Sequence, residues 1–252
     1  MTPTPVFTNI IQGARRNERL LPVIDTYLEE GLFPSFDVHV HGKEQRFPDN
    51  WFHPSTHPLW PERQLYWYLK EPEKLILEKL DLLGTQATTA GNFWHSFMEV
   101  CLIDAGILKE TEVYVEDKET GSRGHMDGIM DDEAFEFKSM YSMKLNKLVR
   151  GSPDDPDVQA QWRAMDPQYY AQAQEYMRLS GYLNMRFLVM TTEYPFAKRE
   201  IVIPYDKPFA LGIRDKYLRV RQAVADQRPP RDCCGIGSLQ MKDCPSRELC
   251  FQ

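Results

Sequence analysis

The sequence predicts an α/β protein, and the order of its apolar patterns is the main reason. Helical spacing of apolar residues predominates up to Leu108, three short β-like runs follow, and a helix, two further β-like runs and a last helix complete the chain. Apolar residues make up 42% of the sequence and charged residues 27%, which are ordinary values for a globular protein. At 252 residues the chain is long enough to build one substantial core. We therefore expect one α/β domain with appendages.

The first part of the chain is predicted to be helical from the spacing of its apolar residues. One helix lies between Arg15 and Glu30 and ends at Gly31, a residue type that favours helix ends. Two more are predicted from Pro61 to Leu69 and from Glu71 to Leu83. A longer helix, Thr88 to Leu108, carries an apolar face that we expect to pack on a sheet.

The three β-like runs are predicted to be successive antiparallel strands, because only short turn-forming segments separate them. They run from Glu112 to Val115, from Gly124 to Met130 and from Ala134 to Ser139. A loop rich in Pro and Asp, Ser152 to Asp157, separates this group from the later elements. Those later elements are a helix from Pro167 to Ser180, strands from Arg186 to Thr192 and from Glu200 to Pro204, and a helix from about Phe209 to Ala225.

Two carboxylates and a lysine fall on neighbouring predicted strands. Glu136 and Lys138 are two residues apart, so their side chains project from the same face, and the short turn at 131–133 brings Asp127 beside them. Carboxylate oxygens are the ligands that Mg²⁺ and Mn²⁺ prefer, and a lysine beside them orients or helps to deprotonate a water and offsets negative charge on a phosphate. The group suits metal-dependent phosphodiester hydrolysis. The same residue types also occur as a solvated face with weak ion pairs across the strands.

Four short motifs occur in a fixed order along the chain. They are Gly91…His95…Glu99, Gly124…Asp127, Glu136-x-Lys138 and Gln172…Tyr176. In this order they resemble the RecB-type branch of the PD-(D/E)xK nuclease superfamily, close to the CRISPR-associated and phage exonucleases of that branch. The resemblance covers about Trp51 to the C-terminus, and Met126 stands where the superfamily's name would place a proline.

The resemblance implies a restriction-endonuclease-like α/β core, in which helices flank a mixed central sheet on both sides. We expect this nuclease core at residues 51–230, preceded by a helical N-terminal extension at 1–50. A cysteine-rich segment at 231–252 is expected to pack on the core as a C-terminal tail.

The resemblance also implies a role for each residue of the central motifs. Asp127 and Glu136 are expected to bind Mg²⁺ or Mn²⁺, aided by the backbone carbonyl of Phe137 and by His95 as an additional ligand. Lys138 is expected to be the catalytic lysine. A lone histidine in an apolar helix is often packed or hydrogen-bonded in the core instead, and this is the alternative for His95.

Contacts to DNA are expected from a second set of residues. Gln172 and Tyr176 either contact the DNA end or brace the active site, and Tyr176 also suits a place in the core. Arg63, Lys144 and Lys147 are candidates for holding phosphates without recognising bases, although a basic helix is as often a solvated face. No spacing typical of a helix-turn-helix or a zinc finger is present, which argues against sequence-specific recognition.

Four of the five cysteines fall in the last twenty residues of the chain. The related iron-sulfur nucleases hold a [4Fe-4S] cluster with cysteines placed there, so an iron-sulfur cluster or Zn²⁺ is expected. The candidate ligands are Cys233, Cys234, Cys244 and Cys250. Met241 replaces one cysteine that the resemblance implies, and His53 or His57 are further candidates for a zinc site. Reduced cysteines that merely pack are the alternative.

The function expected from these residues and the resemblance is a metal-dependent DNA exonuclease. It would act at single-stranded ends in recombination, repair or phage replication, with recombination or replication proteins as partners. A structure-specific endonuclease on the same core and a non-catalytic nucleic-acid-binding subunit are the alternatives. The net charge of −7 supplies no overall attraction to nucleic acid, so binding must rest on local clusters. No apolar run approaches the ~20 residues of a membrane span, and we expect a cytoplasmic protein, in the host cytoplasm if a phage encodes it.

Overall fold

A mixed sheet of five strands forms the centre of the structure, which is a computed structural model. It describes residues 17–32, 34–35, 49–76, 82–148, 151–194, 196–231 and 244–250. The strands are β1 Glu110–Asp117, β2 Ser122–Ile129, β3 Ala134–Met140, β4 Asn184–Thr191 and β5 Lys198–Pro204. They lie in the order β1-β2-β3-β4-β5, and neighbouring strands are antiparallel except for the parallel pair β3 and β4. The predicted antiparallel group and the predicted mixed sheet are confirmed.

Helices cover both faces of this sheet, as predicted. The helices of the described residues are α1 Leu21–Glu30, α2 Glu62–Lys70, α3 Leu82–Asp104, α4 Ser142–Leu145, α5 Pro156–Met165, α6 Pro167–Ser180, α7 Lys207–Ala225 and α8 Arg247–Cys250. Helices α1 and α3 pack on one face, against Phe135, Phe137 and Leu188. Helices α5 and α6 pack on the other, where Trp162 meets Phe187. Successive strand residues point to opposite faces, which divides the core in this way.

The segment before α2 lies beside the start of β2. Phe52 bridges to Ser122 in the parallel sense, and its N–H donates to the carbonyl of Gly121 at 2.8 Å. The Phe52 ring also stacks on Tyr217 of α7, with 4.2 Å between centroids. These contacts place residues 49–60 against the end of the β1–β2 hairpin. Within the described residues, no helix combines the length and the hydropathy that a membrane crossing requires.

The predicted helix from Glu71 to Leu83 is wrong in its first part. The chain makes only a 3-10 turn at Pro72–Lys74 and is extended again at Leu75, with ψ 136°. The N–H of Ile76 then donates to the carbonyl of Pro245 at 2.9 Å. A contact distant in sequence takes the donor that a continuing helix would use, and helical spacing carries no sign of such a contact.

Two other helices begin where the sequence pattern does not place them. Helix α3 begins at Leu82 rather than Thr88, so Gly91 and His95 lie in the middle of the helix. Helix α5 begins inside the segment predicted to be a loop. The Asp155 side chain accepts from the Asp157 N–H at 2.8 Å, and Pro156 occupies the first helical position. The Pro and Asp residues there are a helix start signal rather than a sign of irregular chain.

Candidate active site

The site lies where β2 and β3 separate. The two strands share only two residue pairs, and beyond Gly128 and Phe135 they no longer pair with each other. Asp127 is the first β2 residue past this point, and its Oδ2 accepts a hydrogen bond from the Phe137 N–H at 2.8 Å. The Asp127 carboxylate therefore accepts the hydrogen bond that a β2 backbone carbonyl would otherwise accept. The separation of the strands leaves room for this carboxylate beside Glu136 and Lys138 of β3.

Glu136 is buried at the centre of the site. Its Oε1 accepts from Lys138 Nζ at 2.6 Å and from the side-chain amide of Gln172, on α6, at 2.7 Å. Its Oε2 is also buried but has no hydrogen-bond partner. One oxygen of this carboxylate is thus fully used, whereas the other remains available to a ligand.

His95 reaches the site from α3, which lies on the face of the sheet opposite to α6. A Cβ atom at Gly91 would lie 2.6 Å from Ser139 Oγ, so the glycine one turn earlier permits the close approach of α3 to β3. The His95 ring is parallel to the Phe137 ring, with 5.7 Å between centroids. Its Nε2 lies 3.6 Å from Asp127 Oδ2 and is buried without a hydrogen bond.

Burial and the neighbouring charges shift the pKa values of the three ionisable residues of the site. It raises the pKa of Asp127, and the negative charges of Glu112 and Glu99 add to the effect, against the attraction of Lys138. Burial also raises the pKa of Glu136, with the charge of Asp127 as the second cause. Burial acts to lower the pKa of Lys138, but the attraction of the two carboxylates outweighs it and raises that pKa. The lysine is therefore a cation at neutral pH, between two carboxylates that favour a bound cation or a proton.

The donor set fits a divalent cation. Glu136 Oε2 and His95 Nε2 are buried atoms without partners, and the Asp127 side chain beside them keeps 17% of its surface exposed. In the described part of the chain, no group of three His, Cys, Asp or Glu side chains is placed to hold a metal ion by itself. An incomplete set of protein ligands is normal for Mg²⁺, which keeps several waters and often takes only one or two carboxylates.

Helix α6 braces the site from one side. Tyr176, one turn after Gln172, donates its hydroxyl hydrogen to the carbonyl of His125 at 2.6 Å. A Cβ atom at Gly124 would approach Tyr176 Oη and Pro54 Cδ to 3.1 Å, so the glycine leaves room for the tyrosine ring. Both side chains of the Gln172…Tyr176 motif are buried and hydrogen-bonded within the protein. Of the two predicted roles, these contacts favour bracing over contact with DNA.

The predicted basic residues occupy different places. Arg63 donates to the carbonyls of Pro230 and Cys250, and it lines a separate cavity of about 680 Å³ rather than the one at the carboxylates. Lys144 is paired with Asp166. Lys147 is exposed and follows α4 rather than lying on a basic helix. None of the three lines the cavity that holds the carboxylates.

The cysteines of the C-terminal segment are described only in part. Cys244 is buried and Cys250 is half-buried. Cys233 and Cys234 lie outside the described residues. An iron-sulfur or zinc site at these cysteines therefore stays a prediction.

The two histidines predicted as further zinc ligands have other partners. His57 Nδ1 accepts from the His53 N–H at 2.7 Å, and burial lowers the pKa of His57 to about 3. His53 Nε2 lies 2.9 Å from Asp49 Oδ1. Both rings line the cavity beside the carboxylates and are part of its wall.

One acidic residue of the site is missed by the sequence argument. Glu112 lies between Thr111 and Val113, whose partners on β2 flank Asp127. It has a left-handed φ of 49° and lines the same cavity. A non-glycine residue in this conformation is uncommon and often marks a functional position. The signal available in the sequence is the polar alternation of Glu110, Glu112, Tyr114 and Glu116 on one side of β1.

Comparisons with known proteins give only distant similarities. No family model matches the chain, and no curated protein matches its sequence. The chain is similar to the solved structure of a protein designated SSO0001, at 19% identity and a TM-score of 0.44 over 93% of this chain and 96% of that one. It is similar to the alkaline exonuclease LHK-Exo from Laribacter hongkongensis at 12% identity and a TM-score of 0.47, over 71% of this chain and 89% of that one. It is also similar to a phage-related exonuclease from Haemophilus somnus, at 15% identity and a TM-score of 0.45, over 66% of this chain and 79% of that one. Similarities this low carry no argument for the activity.

Proposed function

We propose that the chain is a divalent-metal-dependent nuclease of the PD-(D/E)xK superfamily, and that Asp127, Glu136 and Lys138 are its catalytic residues. The observation that carries the proposal is the convergence of these three side chains at the separation of β2 and β3. The unpartnered atoms Glu136 Oε2 and His95 Nε2 support it, because a buried polar atom without a partner costs free energy unless a ligand compensates.

Asp127 and Glu136 would hold the cation, with His95 and the Phe137 carbonyl as further candidate ligands and waters completing the coordination. A Mg²⁺ or Mn²⁺ ion bound there would act as a Lewis acid on the phosphate and would lower the pKa of a bound water. Lys138 is a cation in the site, so its proposed role is to donate hydrogen bonds to the phosphate or the water rather than to accept a proton. Gln172 fixes the Glu136 carboxylate in position, since it occupies the oxygen that faces α6.

The proposed substrate is DNA, attacked from its ends. A cavity of about 1050 Å³ adjoins the carboxylates and is large enough to take the end of a single strand. The sequence motifs resemble exonucleases, and action at single-stranded ends during recombination, repair or phage replication is the specific form that we propose. The expected partners, recombination or replication proteins, follow from the same resemblance.

The test is a degradation assay on single-stranded DNA labelled at the 5′ or the 3′ end, in linear and in circular form. We expect the linear DNA to be shortened from one end with Mg²⁺ or Mn²⁺, and not with EDTA, while the circle stays intact. Asp127→Asn should abolish the activity, whereas Asp226→Asn, which changes an exposed aspartate away from the site, should keep it.

The other outcomes are equally informative. Cleavage of the circular DNA would show that the protein is an endonuclease on the same core rather than an exonuclease. DNA binding without cleavage under any metal condition would indicate a non-catalytic binding subunit. Cleavage by Asp127→Asn at the rate of the unchanged protein would show that the assigned site is wrong.

The C-terminal cysteines are proposed to hold an iron-sulfur cluster or Zn²⁺ that clamps the tail at 231–252 to the nuclease core. Metal analysis and visible absorption of protein purified without oxygen test this directly. Bound iron with absorption in the visible range supports an iron-sulfur cluster, and bound zinc in a colourless protein supports a zinc site. The absence of both metals shows that the proposed metal site is wrong.

A further inference from the structure

The β1–β2 hairpin carries a pair of aromatic rings that the catalytic mechanism does not use. We propose that Tyr114 and His125 form a stacking platform for a nucleobase, next to the phosphate that the carboxylates would hold. This inference rests on the proposed nuclease function. It adds a binding subsite for the base of a single-stranded nucleic acid.

The register of the hairpin creates the platform. Tyr114 of β1 lies directly opposite His125 of β2, and their ring centroids are 5.1 Å apart with 50° between the ring planes, so a base would stack on the face of one ring and contact the other at an angle. Tyr114 keeps 47% of its surface exposed, and both rings line the cavity of about 1050 Å³ that holds the carboxylates. Large exposed aromatic rings at the wall of a cavity are available to a planar ligand.

The platform lies close to the catalytic residues. His125 precedes Asp127 by two residues, so both side chains project from the same face of β2. Two strand residues span about 6.6 Å, a separation that a nucleotide bridges between its phosphate and its base. A strand with a phosphate at the carboxylates would therefore bring a neighbouring base onto these rings.

The charges of the cavity favour stacking over phosphate binding at this end. Among the described residues that line it, Asp49, Glu112 and the two carboxylates of the site are acidic, whereas Arg123 and Lys138 are cationic. Arg123 is paired with Asp49 at 2.9 Å and Lys138 with Glu136 at 2.6 Å. A phosphate near Arg123 would meet Asp49 as well. Stacking of a base on an aromatic ring has no such conflict, since it needs no cationic side chain and every base has a π-face.

Hydrogen bonds hold the platform in place before a ligand arrives. The Tyr114 hydroxyl donates to Glu116 Oε2 at 2.8 Å. The backbone carbonyl of His125 accepts from Tyr176 Oη at 2.6 Å, which fixes the strand that carries the ring. A base that stacks here orders few side chains, so little of the stacking free energy is lost to conformational entropy.

The test measures how much a base contributes to binding. Single-stranded oligonucleotides with intact or abasic residues near the end are titrated by fluorescence anisotropy, with Ca²⁺ in place of Mg²⁺ and Lys138→Ala added to prevent turnover. In this Lys138→Ala background, the binding of the Tyr114→Ala, Tyr114→Phe and His125→Ala variants is compared with that of the protein in which both rings are intact. Tyr194→Ala is the matched control, because Tyr194 is 86% exposed and lies outside the cavity.

We expect the intact oligonucleotide to bind about tenfold more tightly than the abasic one, as a single stacked base provides. Tyr114→Ala and His125→Ala should remove this preference and leave abasic binding unchanged. Tyr114→Phe and Tyr194→Ala should keep it. A 2-aminopurine at the stacked position should be quenched by the Tyr114 protein and not by Tyr114→Ala.

Failure of the platform and failure of the nuclease proposal give different results. If the protein cleaves DNA but prefers intact bases equally with and without the Tyr114 ring, the platform is wrong and the nuclease stands. If it neither binds nor cleaves nucleic acid, both are wrong. Should Tyr114→Ala fail to fold by circular dichroism, His125→Ala and the intact-to-abasic ratio of the unchanged ring pair decide the question.

Discussion

Two buried clusters of charged residues lie on the sheet, and each contains two carboxylates and one cation. The structural cluster consists of Arg186 on β4, Glu200 on β5 and Glu133 before β3. Arg186 donates to both carboxylates, at 2.8 Å to Glu200 and 2.5 Å to Glu133. The remaining oxygen of Glu200 accepts the backbone N–H groups of Leu20 and Leu21, at the start of α1. Every carboxylate oxygen of this cluster has a partner.

The cluster that we propose to be catalytic consists of Asp127, Glu136 and Lys138, is called the catalytic cluster below, and is different. Among the described residues, neither Glu136 Oε2 nor the neighbouring His95 Nε2 has a hydrogen-bond partner. The structural cluster uses all its hydrogen-bonding capacity to join α1 to the sheet, whereas the catalytic cluster keeps part of that capacity unused. The same residue types thus serve the fold where they satisfy one another and are available for chemistry where they do not.

The same substitution in both clusters should separate the two roles, and the largest effect is expected on activity. Glu136→Gln removes a charged ligand and should lower the cleavage rate by at least about a thousandfold. Its stability should fall less than in the structural cluster, because burial raises the pKa of Glu136 and so disfavours the ionised carboxylate, and Asp127 remains beside the Lys138 cation. Single-turnover cleavage with Mn²⁺ and urea unfolding measure the two quantities. Cleavage within tenfold of the unchanged protein would remove Glu136 from the site.

Glu200→Gln should act on stability instead. The amide places an N–H group against either the Arg186 guanidinium or the backbone N–H groups of Leu20 and Leu21, and the buried guanidinium keeps only one of its two carboxylates, which costs about 3 kcal/mol. The cleavage rate per folded molecule should stay the same, because no residue of this cluster lines the catalytic cavity. Urea unfolding in EDTA and cleavage at a temperature where the variant is folded test both parts. A thousandfold loss of activity in the folded variant would erase the distinction between the clusters.

The sequence predicts the fold class and the acidic hairpin well, because both depend on local patterns. The alternation on β2 and β3 and the short turn between them are enough to bring Asp127 beside Glu136 and Lys138. Helix α5 is missed, since its start uses the Pro and Asp residues that also mark loops. The helix predicted from Glu71 to Leu83 is wrong in its first part, because the Ile76 N–H donates to the carbonyl of Pro245, a contact across most of the chain.

The state of each polar atom in the site is beyond what sequence spacing determines. The Gln172…Tyr176 motif predicts a position near the active site, but not that Gln172 occupies one oxygen of Glu136 and leaves the other without a partner. The cavity wall formed by Tyr114 and His125 depends on the register of β1 and β2. Such features follow from packing among elements that are far apart in sequence.

A smaller effect is expected where α6 supports the catalytic cluster. Gln172→Leu removes the amide that positions Glu136, and loss of such a supporting contact lowers metal affinity by about 10- to 100-fold. Gln174→Leu is the matched control, since Gln174 is buried on the same helix but binds Pro204 and Asp206 instead. Mn²⁺ titration by calorimetry compares the two variants. Equal losses of affinity would mean that α6 acts through general packing.

The smallest expected effect is a gain in stability that depends on pH. Burial raises the pKa of Asp127 in the folded protein, so folded molecules retain a proton that unfolded molecules release above the usual pKa of about 3.9. Without metal, the unchanged protein therefore loses stability as the pH rises through the interval between the two pKa values. Asp127→Asn has no such charge and keeps its acceptor for the Phe137 N–H. It should be about 1 kcal/mol more stable than the unchanged protein at pH 8 in EDTA, and no more stable at pH 4.

Added Mg²⁺ should reverse this order at pH 8, because an ion that binds only the folded state stabilises the unchanged protein by mass action. Thermal unfolding with EDTA and with Mg²⁺ at the two pH values gives all four comparisons, and Asp226→Asn at an exposed position is the control. If Asp127→Asn were less stable than the unchanged protein in EDTA at pH 8, the attraction of Lys138 would satisfy the carboxylate. The catalytic cluster would then resemble the structural one, with no unused capacity at Asp127 to attract an ion.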